Sequence, residues 1–179
     1  MPSIERLAHV GIHVLDLERS LAFYRDILGL QVSDDDREHG LTFLSSRPDI
    51  EHHEILLTEG RTAAAGELWL QQISFRCSTL EDVIEFHQRF VEHGVKIEYT
   101  VTHGNAIGVY FYDPDGNRCE VYWPTGLVAR QGYLQAVDLT QSPAEIIEGV
   151  RRGVDQYGET GVIDASLLET MDVETAATR

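Results

Sequence analysis

Apolar residues alternate with polar ones from Leu7 to Val14, and the pattern then switches at Asp16 to helical spacing at Leu21, Phe23, Tyr24, Ile27 and Leu28. Gly29 follows as a helix C-cap. The same plan recurs further along, with a strand over Leu70–Cys77, a cap at Ser78 or Thr79, a helix through Phe86 and Phe90, and Gly94 closing it. Three strand-like runs trail each helix. They are LQVSDD, LTFLSS and HEILLTE after the first, then VKIEYTV, IGVYFYD and CEVYWP after the second. Each half therefore predicts a βαβββ unit, and internal duplication is the simplest account. The boundaries expected are a first module over 4–58, a linker over 59–67 rich in small residues, and a second module over 68–125.

Beyond Pro124 the pattern changes. Ser142 as N-cap, Pro143 at the first helical position and Glu145 completing a capping box predict a helix over about 142–157 within a C-terminal extension, 126–179. From Asp164 the chain turns acidic and small, with no evident chemistry. Trp69, Phe75, Phe86 and Phe90 have the spacing of core residues. His87 and His93, on or at the end of the second helix, read as solvated or capping residues, and Asp34–Gly40 as a solvated hairpin.

Charge narrows the function. Thirty acidic residues against fourteen basic ones give a net charge of -16, which repels phosphate backbones and anionic bilayers alike. Nucleic-acid and membrane partners are disfavoured. The opening residues lack the apolar core of a secretion signal and no run is long enough to span a bilayer, so a cytoplasmic location is expected. Cys77 and Cys119 are too few for a disulfide framework and too far apart for a CxxC motif.

The chemistry concentrates between Thr102 and Trp123. Asp113–Gly116 reads DPDG, a turn in which Pro114 presets φ and Gly116 tolerates positive φ. Alternation then places Glu120 and Tyr122 on one strand face and Cys119 and Val121 on the other. His103, then Val109–Tyr110, Asp113–Pro114, Gly116 and Glu120 resemble the signature of type I extradiol ring-cleaving dioxygenases, members of the vicinal oxygen chelate superfamily. The resemblance spans roughly Ile4 to Pro124.

It implies an α+β fold in which two tandem βαβββ modules form a half-open mixed-sheet barrel around one metal, with the C-terminal helix added. It assigns Glu120 as an iron(II) ligand, His103 to hydrogen bonds with substrate or dioxygen intermediates, and Tyr110 to a substrate hydroxyl. A second ligand belongs on the opening strand, where His9 is favoured over His13. An acid-base histidine belongs on the last strand of the first module, where His53 is the candidate and His52, one step along, faces the other way. Such a site takes a small aromatic substrate of catechol type together with dioxygen, and small proteins of this superfamily commonly form homo-oligomers.

One position departs from the family. Aligning HVGIHVLDLE with QISFRCSTLE sets Gln72 against His9, where the family has its second iron histidine. An amide oxygen suits iron less well than imidazole, so lower iron affinity is expected. Glyoxalase I of the same superfamily uses glutamine, glutamates and histidine. Matching HEILL to CEVYW adds Glu54 as Glu120's counterpart, giving a shell of His9, Glu54, Gln72 and Glu120 suited to zinc, nickel or manganese and to non-redox isomerase chemistry. A third class is the metal-free binding protein of the same fold. His103 and Tyr110, which a passive pocket does not need, favour catalysis.

Overall fold

The computed structural model describes residues 6–67, 70–130 and 132–161. Trp69 and the acidic tail from Asp164 lie outside the described residues. The described residues divide into two compact units, the first drawn from 1–71 with 113–117 and the second from 72–112 with 118–179.

In the first unit the elements are β1 (Val10–Val14), α1 (Leu17–Ala22), a π-helical turn over Phe23–Ile27, β2 (Gln31–Asp36), β3 (Leu41–Ser45) and β4 (Ile55–Glu59). Asp16 caps α1 by accepting from Arg19 N at 3.0 Å. The helix spacing read from the sequence is thus split between a short α-helix and the π turn. Gly29, at φ +77°, ends it as expected. The sheet order is β1-β4-β3-β2, with β1 and β4 parallel and the other pairs antiparallel. Ile12 and Val14 from β1 meet Leu44, Ile55 and Leu57 in the buried set of this unit, so the opposite face of β1 carries Gly11 and His13.

The DPDG segment is tied down within this unit. The Asp113 carboxylate accepts from Tyr24 Oη at 2.9 Å, Asp115 N at 2.9 Å, Asn117 N at 2.8 Å and Asn117 Nδ2 at 2.8 Å. Burial pushes this carboxyl up from its ordinary value against the pull of those donors. Asp115, fully buried, accepts from Leu15 N at 2.8 Å and pairs with Arg19. Gly116 takes φ +79°, and a Cβ there would lie 2.8 Å from Gly66 N, so the turn demands glycine twice over.

The second unit repeats the plan with β5 (Ile73–Arg76), α2 (Leu80–Glu92), β6 (Ile97–Thr102), β7 (Ala106–Tyr112) and β8 (Arg118–Pro124). Of the two cap candidates Thr79 is the one used, in a capping box with Asp82, and His93 is the C-cap. The sheet order β5-β8-β7-β6 repeats β1-β4-β3-β2, again with the first pair parallel. Duplication is therefore visible in topology as well as in sequence. Leu80, Val83 and Phe90 of α2 pack with Val109, Phe111, Cys119 and Val121 as the core. Burial raises the Cys77 thiol to about 12, in keeping with an inert packing cysteine.

The extension adds β9 (Gln135–Ala136), which pairs antiparallel with β6 and has no signal in the alternation pattern, and α3 (Pro143–Tyr157), which starts at Ser142 with the expected capping box. The fold is α+β with two mixed sheets. Among the described residues no helix is long and apolar enough to cross a membrane.

Candidate functional site

The predicted site residues fall into two groups, one on each unit. On the second unit, β7 and β8 pair so that Tyr110 lies directly opposite Glu120. Gly108 opens the space beside them, since a Cβ there would lie 3.0 Å from Glu120 Oε1. The turn before β7 brings His103 Nε2 to 3.2 Å from Tyr110 Oη. The three signature residues His103, Tyr110 and Glu120 are thus neighbours in one sheet.

Glu120 is only 6% exposed, and its Oε2 accepts from Ser74 Oγ at 2.6 Å and from Gln72 Nε2 at 3.2 Å. Gln72, one residue ahead of β5, also donates to Ser74 Oγ at 2.7 Å while its Oε1 accepts from Arg118 Nη1 at 3.1 Å. Arg118 cannot accept and an ionised Glu120 cannot donate, so these neighbours dictate which way the carboxamide points. Burial opposes the charge on Arg118, but Glu98, bonded to Nε at 2.6 Å, holds the guanidinium's pKa above its ordinary value. Arg118 also bonds Tyr99 Oη and lies 4.3 Å from the centroid of the Tyr110 ring. Burial and the adjacent Glu120 charge push the Tyr110 hydroxyl far above its usual range, so it keeps its proton.

Sequence reasoning passed over Arg118, Ser74 and Tyr99. The alternation that put Glu120 and Tyr122 on one face of β8 puts Arg118 there too, and was the signal available. The extension, where the sequence reading places no site residue, supplies the Tyr133 carbonyl 3.2 Å from His103 Nδ1, and no pattern in the sequence marks that contact.

On the first unit, His9 sits one residue ahead of β1. Its ring centroid is 4.1 Å from that of His53. The run EHHE precedes β4 rather than forming its start, because parallel pairing with β1 begins at Val10 and Ile55. Period-two alternation therefore does not apply to His52 and His53. Instead of facing opposite ways, their Nδ1 atoms are 2.9 Å apart, and the Phe43 ring contacts both imidazoles. Burial, followed by the positive charges His9 and His52 can carry, holds His53 below its ordinary pKa, so it is a neutral base at neutral pH.

Glu54 has a structural occupation. It accepts from Ser46 N at 2.8 Å and Ser46 Oγ at 2.7 Å and pairs with Arg47, which together outweigh burial and hold its carboxyl below the usual range. The register also corrects its place in the duplicated frame. Gly11 pairs with Leu56 as Ser74 pairs with Glu120, so with His9 set against Gln72 the counterpart of Glu120 is Leu56, two residues past Glu54.

Among the described residues no three His, Cys, Asp or Glu side chains form a metal-binding group. The expected set, however, includes a glutamine. Glu120 is a buried carboxylate served by the neutral donors Ser74 and Gln72, and no Lys, Arg or His among the described residues ion-pairs with it, a condition that suits a cation. Gln72 presents N–H to that carboxylate and offers its oxygen as a ligand only after the carboxamide turns over. On those terms Gln72 and Glu120 supply two oxygen donors, a chemistry that suits a divalent ion.

The sequence matches the family model described as the Glyoxalase/Bleomycin resistance protein/Dioxygenase superfamily over residues 6–121, and the chain belongs to this family. It is 29% identical over 123 residues to the manganese-dependent 2,3-dihydroxybiphenyl 1,2-dioxygenase of Geobacillus genomosp. 3, covering 67% of this chain and 37% of that protein. It is 26% identical over 125 residues to biphenyl-2,3-diol 1,2-dioxygenase 2 of Rhodococcus globerulus, covering 68% of this chain and 64% of that one. The chain thus spans less than two thirds of the length of either relative. The fosfomycin resistance protein FosX of Listeria monocytogenes superposes with a TM-score of 0.55 at 24% identity, over 68% of this chain and 94% of its own, a likeness of fold.

Proposed function

We propose that this chain cleaves the ring of a catechol-like aromatic with dioxygen in the extradiol manner, using a divalent ion. The observation that carries the reading is the meeting of His103 and Tyr110 at 3.2 Å, with Glu120 directly across the strand pair from Tyr110. The names of the dioxygenase relatives point the same way. By resemblance the ion would be held by His9, Gln72 and Glu120. Iron(II) or manganese(II) leads, and zinc(II) or nickel(II) follows. When bound, iron(II) or manganese(II) would supply an electron path between a catechol and dioxygen, which redox-inert zinc(II) would not.

The protein's own groups do the rest. Tyr110, which keeps its proton, turns it from His103 Nε2 to a substrate oxygen when substrate binds. His53, neutral at pH 7 because burial depresses its pKa, accepts a catechol proton and returns it later as a general acid. His103 stands beside Tyr110 as the second imidazole of the reaction. Tyr99 and Tyr110, with ring centroids 4.8 Å apart under the Arg118 guanidinium, form an aromatic wall that suits a flat ring.

The test is anaerobic purification with iron(II) or manganese(II), followed by a panel of catechols with oxygen uptake and coloured ring-opened product as readouts. Stoichiometric oxygen uptake with product supports the reading. Retention of zinc or nickel without oxygen uptake overturns it in favour of non-redox isomerase chemistry, and failure to retain any metal overturns it in favour of a binding protein.

A further inference from the structure

The extension beyond β8 reaches the site from the edge of the sheet. Its strand β9 pairs Gln135 with Thr102 and Ala136 with Val101, so Tyr133 arrives beside His103 at the end of β6. Leu134 joins Val101 and Tyr110 in one buried cluster. Tyr133 is 1% exposed, its hydroxyl donates to Gln135 Oε1 at 2.8 Å, and its amide donates to Arg130 O at 3.0 Å. Above it lies α3, where Gly153 leaves the room the tyrosine occupies. A Cβ at Gly153 would collide with Tyr133 Oη and lie 2.6 Å from Gln135 Oε1. The Gly104 turn closes the same packing, since a Cβ there would lie 3.0 Å from Val154 Cγ2 and 3.4 Å from Tyr133 Cδ1.

A carbonyl oxygen only accepts, so the 3.2 Å contact between Tyr133 O and His103 Nδ1 is a hydrogen bond only if Nδ1 carries the proton. In a neutral imidazole Nε2 is then bare and can only accept, so His103 competes with the Glu120 carboxylate for the one proton of the Tyr110 hydroxyl, 3.2 Å from Nε2. We propose that Tyr133–Ala136, pinned beneath α3 through Gly153, is a positioning device that fixes His103 in the Nδ1–H tautomer and aims its bare Nε2 at Tyr110. Setting one ring nitrogen by a bond to the other is how a protein decides which end of an imidazole acts as base. His103 so held accepts a proton through Nε2 first, and donates from that atom only once it has become imidazolium. No proton is gained or lost in setting the tautomer. The catalytic meaning of this device rests on the function proposed above, whereas the tautomer itself does not.

Long-range proton–nitrogen correlation spectra of the full chain at pH 8, above the ordinary imidazole range of about 6.5, read the tautomer directly. His103 is assigned by the signal lost in His103→Gln. The expected pattern is a protonated Nδ1 and an unprotonated Nε2, and an Nε2–H pattern in the wild type overturns the proposal without any variant. In Gly153→Ala the displaced Tyr133 should shift both His103 nitrogen signals or mix the tautomers. Adding Tyr133→Phe removes the nearest obstacle and should restore the wild-type pattern. Unmoved His103 signals in a folded Gly153→Ala protein, or no restoration in the double variant, overturn the route through Tyr133. All these readouts need neither metal nor turnover, so a protein that cleaves no catechol can still show the tautomer, and one that cleaves catechols can still refute it.

Discussion

Arg118 should decide how well a cation binds beside Glu120, and it should do so through Gln72. In the structure the Gln72 amide donates to Glu120 and its oxygen is held by Arg118 at 3.1 Å. To present that oxygen to a cation, the carboxamide must turn over and give up the bond from a guanidinium whose side chain is 11% exposed. Hydrogen bonds to charged groups contribute about 1.5–3 kcal/mol. At about 1.4 kcal/mol per tenfold change, this corresponds to roughly a 10- to 150-fold loss of affinity. Arg118→Met removes the bond, and Glu98→Gln added beside it keeps Glu98 from being left as an unpaired, largely buried charge. The pair of changes should tighten Mn(II) binding by that factor in the Gln72 protein. It should tighten binding much less in a Gln72→His background, where no carboxamide has to turn. Removing the Arg118–Glu98 ion pair has the same direct effect on a nearby cation in both backgrounds, and that contribution cancels in the double-mutant cycle. The assay is calorimetric titration of Mn(II) into the four proteins, with circular dichroism to confirm folding. Equal gains in the two backgrounds refute the reasoning about Gln72. No Mn(II) uptake by any of the four sinks the metal assignment.

Three further outcomes are expected. Tyr24→Phe removes the fully buried hydroxyl that donates to Asp113 at 2.9 Å and should cost about 1.5–3 kcal/mol in urea denaturation, the range for a bond to a charged partner; a loss below about 0.5 kcal/mol would show that the other Asp113 donors compensate. Because His53 has a depressed pKa in the folded state, the unfolded chain binds its proton first, so stability should decline as pH falls below about 6.5. His53→Gln should flatten that decline, and an unchanged slope of unfolding free energy against pH between 6.5 and 5 would rule His53 out as its source. His103→Ala should lower catechol turnover by about 10²- to 10⁴-fold, the usual contribution of a positioned acid or base, while leaving Mn(II) affinity within about twofold; a matching loss of metal affinity would place His103 among the ligands instead.

Local rules were sufficient for much of this protein. Period-two and helical spacing marked both βαβββ halves, the Ser142 capping box marked α3, and DPDG marked the turn in which Gly116 takes positive φ, because each depends on residues a few positions apart. The signature residues His103, Tyr110 and Glu120 were legible for the same reason, since one hairpin and the turn before it bring them together. Register was not legible. A two-residue slip of a strand preserves every inward and outward position, so HEILL looked like a match for CEVYW until the pairing of Gly11 with Leu56 set the frame. Nor could alternation describe His52 and His53, which lie outside the strand it presupposes. The orientation of Gln72 and the tautomer of His103 depend on Arg118 and on the Tyr133 carbonyl, groups 46 and 30 positions away in the chain. Hydrogen bonds across such separations are set by which strands pair and in what register, and only the folded arrangement decides that.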